Sequence, residues 1–232
     1  MKMIFVCSII LSILFIILLT KIIKNKKIIN TMLLILSIIL LIWKTLEFGY
    51  YAYTNKGIYP VEFSHISYFI VSLILIFSLK KLYFTAGLLS FISGLLYTIV
   101  ALISPSNMIN TNSKTIIIFG IISHMILLFI GSILLFKYQK YYFKDCYIPI
   151  IVMSLIFLYI LLIQNKVIYP NLTNRNFVTL KIASFQLLTY IGITNKILNI
   201  IASITIIILL YSLIFVFTYI NRLIYKNKKK YV

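Results

Sequence analysis

The residues best able to do chemistry lie in one stretch, Pro60-Val61-Glu62-Phe63-Ser64-His65-Ile66-Ser67, at the head of an apolar run. The chain has three acidic residues and two histidines, and this stretch holds one of each. An imidazole and a carboxylate exchange protons and pair with opposite charge. Bringing them into a membrane costs enough to mark them as functional candidates. Glu62 and His65 are three residues apart, share a helix face and can pair. Ser64 is offset from His65 by about 100° around a helix. By itself it carries no signal, because hydroxyls in membrane helices bond back to their own backbone.

These groups need elements to hold them, and composition says which. Of the 232 residues 62% are hydrophobic and the mean hydropathy is +1.10. A soluble domain cannot hide that much apolar surface, and runs of about 20 apolar residues read as membrane spans. The fold class expected is therefore all-α, a single polytopic domain over residues 1–232. Its seven spans are read at 3–23, 28–49, 61–79, 82–104, 115–136, 148–164 and 197–220. The first run is long and no small-residue cleavage site follows it, so it reads as a retained span rather than a signal peptide. Residues 50–59 form an aromatic loop suited to the headgroup level. Residues 176–193 are apolar enough to lie in the interface or to re-enter the membrane.

The formal charge of +19 does not point to nucleic acid, because the lysines lie between spans rather than on one basic face. They read as topology signals and contacts to anionic lipid. The segments containing Lys21, Lys80, Lys137 and Arg222 hold 14 positive charges, and the N-terminal Lys2 with the loops containing Lys56, Lys114 and Arg175 makes 7. The positive-inside rule puts the N-terminus outside and the C-terminus in the cytoplasm of a multi-pass protein of the cell membrane. Cys7 and Cys146 make no disulfide framework, and neither zinc spacing nor any other cofactor motif is present. Membrane lipids are the expected partners. No protein partner is indicated.

In this topology Glu47, Glu62, Ser64, His65 and His124 all fall in the outer half of the bundle. His124 lies deepest, about ten residues below the outer end of its span, or roughly 15 Å. It has no carboxylate within its own helix. Lys44 is one turn before Glu47, and the two can form an intrahelical ion pair reaching to the surface. Asp145 sits among lysines and needs no special role. Gly87, Ser90 and Gly94 share a face of the fourth helix, and Gly120, His124 and Gly131 share one of the fifth. Such small residues let backbones approach closely in lipid. The bland readings stand beside the functional ones: a structural Glu62–His65 pair, a snorkelling Lys44–Glu47 pair, and a hydrogen-bonded core His124.

Several fragments in order add a resemblance. They are Glu47 with Tyr50, Tyr51, Tyr53 and Gly57; Pro60, Glu62, Phe63, Ser64, Ile66 and Ser67; Gly94 and Ser104-Pro105; and Ser123-His124. Over residues 43–136 the chain resembles the YwaF-like integral membrane proteins of bacteria. That group is distantly similar to a eukaryotic multi-pass acyltransferase family acting on phospholipids. The third-helix motif of the family reads Pro-Leu-Gln-Leu-Cys-Ser-Ile-Ser, so its cysteine falls at Ser64 and its histidine at His124. In the eukaryotic relatives that cysteine is regarded as the acyl-carrying nucleophile. Here serine stands in place of cysteine and His65 in place of serine.

The resemblance implies a lipid acyltransferase or hydrolase with Ser64 as nucleophile, His124 as general base, and His65 with Glu62 or Glu47 as the supporting shell. A serine can carry an acyl ester only with a base to take its proton. A carboxylate can orient the histidine in the manner of a triad. The alternative outcome of the cysteine-to-serine change is a site without catalysis. The rival class is a non-enzymatic membrane protein, either a small transporter or a subunit binding a polar headgroup or ion. Transporters often show paired repeats with broken helices, and no such repeat is visible across the seven spans.

Overall fold

The computed structural model describes residues 2–23, 25–54, 63–103, 105, 114–164 and 196–228. Glu62, the loop at 106–113 and the segment 165–195 lie outside the described residues. Among the described residues seven α-helices follow one another: α1 Lys2–Ile22, α2 Lys26–Tyr53, α3 Phe63–Ile76, α4 Tyr83–Ile103, α5 Lys114–Ile133, α6 Tyr147–Gln164 and α7 Lys196–Lys228. No strand occurs among the described residues. Six of the helical segments are long and apolar enough to cross a membrane, and α3 is a shorter apolar helix of 14 residues. The protein is an all-α polytopic membrane protein.

Helix ends depart from the hydropathy boundaries for identifiable reasons. The third span, expected at 61–79, ends as a helix at Ile76. Beyond it Ser78 adopts φ 52°, with its N–H bonded to Leu75 O at 3.1 Å and the Leu79 N–H to Ile74 O at 2.9 Å. These are the two bonds of a Schellman cap, here with serine where glycine usually sits. The second helix runs on to Tyr53, so part of the expected aromatic loop is helical. Its start is capped by Asn25, whose side-chain oxygen accepts the Lys27 N–H at 2.9 Å.

The chain divides into two compact units, 1–45 with 67–139, and 46–66 with 140–232. In the first, α4 and α5 form the tightest pair, and α1 packs on both. The contact is backbone to backbone. A Cβ added at Gly94 would lie 2.7 Å from Leu128 Cβ and 2.8 Å from the His124 carbonyl oxygen. One added at Gly131 would lie 2.7 Å from Phe91 Cα. The small-residue faces read from the sequence are thus the faces that meet. Below them α5 widens into a π-helical turn over Leu134–Tyr138. From that turn Lys137 donates to Ile23 O at 2.7 Å, where carbonyls at the end of α1 lack partners of their own.

The second unit contains α6, α7 and the segment leading into α6. That segment includes a short 3₁₀ turn, Phe143–Cys146. Asp145 accepts the Tyr142 N–H at 2.8 Å, so it organises this turn. Stacking of Phe63 with Phe157 (6.1 Å) and edge packing of Phe157 with Tyr211 (5.9 Å) tie α3 and α7 to α6.

Gly94→Val and Gly131→Val are each expected to destabilise the protein in detergent by at least about 1–3 kcal/mol, the usual cost of overpacking a filled site. Gly49 has open space around it. Gly49→Ala is expected to leave thermal unfolding unchanged or raise its midpoint, through better helix propensity. Ser78→Gly, relieving a left-handed serine, is expected to stabilise by about 1 kcal/mol. A thermal unfolding series on the four variants checks all of these.

Candidate functional site

The polar centre of the first unit is built on α5. His124 is 9% exposed, and its Nδ1 donates to the carbonyl oxygen of Gly120 at 2.7 Å. A carbonyl accepts only, so this bond assigns the ring proton to Nδ1 and leaves the Nε2 lone pair available. The Tyr68 hydroxyl from α3 lies 3.2 Å from Nε2 and 3.0 Å from Nδ1. The same hydroxyl is 3.1 Å from Ser123 Oγ. Ser123 already donates to Phe119 O at 2.8 Å, so the phenol proton has the serine oxygen and Nε2 as acceptors.

Aromatic surfaces close the site. The Tyr97 ring of α4 stacks on His124 with centroids 3.8 Å apart and planes 12° apart. Tyr97 follows Gly94 by three residues, so the close approach at Gly94 also brings this ring to the histidine. Lys44, on α2, is 4% exposed, and its ammonium lies 4.6 Å from the Tyr68 ring centroid. A buried ammonium over an aromatic face gains a cation–π attraction that strengthens on desolvation. Lys44 is therefore an internal group and does not snorkel to the surface. One helical step further down, Ser93 Oγ donates to Ser67 Oγ at 2.9 Å, and both residues are buried.

The remaining candidates belong to the second unit. Ser64 and His65 occupy the first turn of α3 and are half-buried. The His65 ring packs edge-on against Phe48 of α2, centroids 4.9 Å apart. Glu47, half-buried, accepts a hydrogen bond from the Tyr51 hydroxyl at 3.2 Å, one turn along α2. Glu62, the expected partner of His65, is outside the described residues. Among the described residues no three His, Cys, Asp or Glu side chains come together as a metal site.

Sequence reasoning singled out His124 but not Tyr68, Tyr97 or the burial of Lys44. Two signals were available. Tyr68 follows Ser64 by four residues and so shares its face of α3. Tyr97 extends the small-residue stripe of Gly87, Ser90 and Gly94. The orienting group of His124 is a backbone carbonyl, which no side-chain pattern reveals.

With only two histidines in the chain, the arrangement is open to direct observation. In ¹⁵N-histidine-labelled protein, with His65→Gln used for assignment, His124 is expected to show the Nδ1–H form. Tyr68→Phe should shift its Nε2 resonance and keep the tautomer. An Nε2–H form would contradict the assignment made from the Gly120 bond.

No curated protein and no solved structure matches the chain. The sequence pattern of the TMEM164 family matches residues 1–217, nearly the full length of the 232-residue chain. A multi-pass membrane protein with its small-residue helix pair wrapped on a buried histidine, the chain belongs to the TMEM164 family.

Proposed function

We propose that the protein is a membrane-embedded enzyme acting on acyl lipids, a transferase or hydrolase, with His124 as its general base. The observation that carries this reading is the anchoring of His124 Nδ1 by the Gly120 carbonyl, which presents the Nε2 lone pair to a hydroxyl environment. A base held by a third group is the arrangement that activates a hydroxyl nucleophile. In this reading the Gly120 carbonyl orients His124, and Glu47 or Glu62 belongs to the supporting shell.

The likeness to YwaF-like proteins supplies the nucleophile, Ser64, as the position where that family carries cysteine. In the proposed reaction the Ser64 oxygen bonds to the lipid acyl carbonyl carbon while its proton passes to a general base. The ester bond to the departing alcohol then breaks, and that alcohol leaves with the proton. The acyl ester on Ser64 is released to a second alcohol in a transferase, or to water in a hydrolase. His65, Glu47 and Glu62 support the site. The substrate class is a phospholipid or other acyl lipid.

The non-enzymatic alternative, a headgroup-binding membrane protein, is favoured by one observation, the buried ammonium of Lys44 beside Tyr68. A cation kept inside the helices suits an anionic headgroup as well as it suits catalysis.

A fluorophosphonate probe on protein in mild detergent separates the two. The enzyme reading expects an adduct at Ser64, mapped by mass spectrometry. It also expects labelling to fall at least 100-fold in His124→Ala and to vanish in Ser64→Ala, general-base contributions being about 10²–10⁴. Folded protein that stays unlabelled would remove the serine mechanism. Anionic lipid retained in a Lys44-dependent manner would then establish the binding reading.

A further inference from the structure

The second unit carries a feature that the acyl-lipid reading does not use. The segment 140–147 joins two apolar spans, and it is pinned to α7 by two buried polar contacts. Asn221 Oδ1 accepts the Tyr141 N–H at 2.9 Å, and Cys146 Sγ lies 3.2 Å from Thr218 Oγ1. Asn221, Thr218 and Tyr141 are all fully buried. The segment is therefore a fixed platform rather than a free loop. It holds its outward-facing groups in place without a ligand.

Those groups are cations seated on aromatic rings. Lys140 and Lys144 stand 5.2 and 5.8 Å from the Tyr142 ring centroid. The Arg222 guanidinium stands 5.0 Å from that of Phe143. Tyr142 and Phe143 are each 45% exposed, and Tyr147 and Tyr219 are exposed beside them. The one carboxylate of the turn, Asp145, is engaged with the Tyr142 N–H. Among the described residues Lys140, Lys144 and Arg222 have ring partners and no carboxylate. Since the span containing α7 ends near Lys226, Arg222 lies at its margin.

We infer that Lys140, Lys144 and Arg222, on their aromatic platform, form a site for the phosphate of an anionic phospholipid headgroup. Three cations against the single carboxylate of Asp145 leave a net positive charge at a span margin, and an anionic leaflet attracts basic residues near its surface. A guanidinium grips phosphate oxygens in a bidentate fork, and ammonium groups add point charge. The exposed tyrosines and phenylalanine suit the headgroup–acyl boundary, where an amphipathic ring has its apolar body in lipid and its polar edge in water. The occupant is lipid rather than soluble phosphate because the platform lies between two spans and is ringed by exposed aromatics.

The test is native mass spectrometry of full-length protein, purified with mixed phosphatidylglycerol and phosphatidylcholine and then progressively delipidated. Wild type is expected to retain phosphatidylglycerol selectively. K140Q/K144Q/R222Q is expected to lose at least tenfold of that retention and keep its phosphatidylcholine. The control K27Q/K80Q/K81Q removes the same charge from other exposed lysines and is expected to behave as wild type. Equal loss in both triple variants would reduce the effect to general surface charge and overturn the site, as would unchanged retention in the first. Displacement of the lipid by inorganic phosphate as readily as by short-chain phosphatidylglycerol would overturn the lipid assignment in favour of free phosphate. Circular dichroism of each variant confirms that the helices are intact before retention is compared.

Discussion

The contact between α4 and α5 at Gly94 and Gly131 is the constraint on which the first unit depends. In lipid no hydrophobic force pushes one apolar helix against another, so association rests on packing. Packing is tightest where no Cβ stands between the backbones. Gly94 meets the His124 carbonyl and Leu128, and Gly131 meets Phe91. The same approach sets the Tyr97 ring flat on the His124 imidazole. The contact that holds the helices together therefore also positions the candidate base, and the two functions cannot be separated by moving one residue.

Polar groups inside this apolar protein fall into two sets. Many hydroxyls return a bond to their own helix, as Ser37 does to Leu33 O at 2.6 Å and Thr98 to Gly94 O at 2.8 Å. They are satisfied locally and say little about function. The second set reaches between helices: Tyr68 to Ser123 and His124, and Ser67 to Ser93. Such bonds contribute only about 0.6 kcal/mol each on average in membranes. Their main effect here is orientation. They hold a histidine nitrogen, a phenol and a serine hydroxyl close together.

The second unit uses the same economy at the membrane surface. Asn221 and Thr218 are buried on α7 and grip the chain entering α6. Asp145, which looked like an incidental acid among lysines, stabilises the turn by accepting the Tyr142 N–H. With the carboxylate so used, the basic residues around it are paired with rings instead.

Hydropathy alone was enough to show an all-α membrane protein with about seven helices, because long apolar runs have no other stable form in lipid. The spacing of Gly87, Ser90 and Gly94 against Gly120, His124 and Gly131 was enough to indicate which faces carry close contacts. The rarity of His124 in an apolar span marked it as a candidate. Helix ends were less legible. The end of α3 depends on a left-handed Ser78, a conformation serine does not advertise, and α2 continues past the hydropathy boundary because a fall in hydropathy marks the headgroup level rather than the end of a helix. Tertiary structure alone decided that Tyr68 and Tyr97 are the neighbours of His124 and that Lys44 is buried. Each of these is set by which residues of different helices come into contact. Sequence periodicity specifies the faces of one helix at a time, and only packing selects which faces meet and at what height.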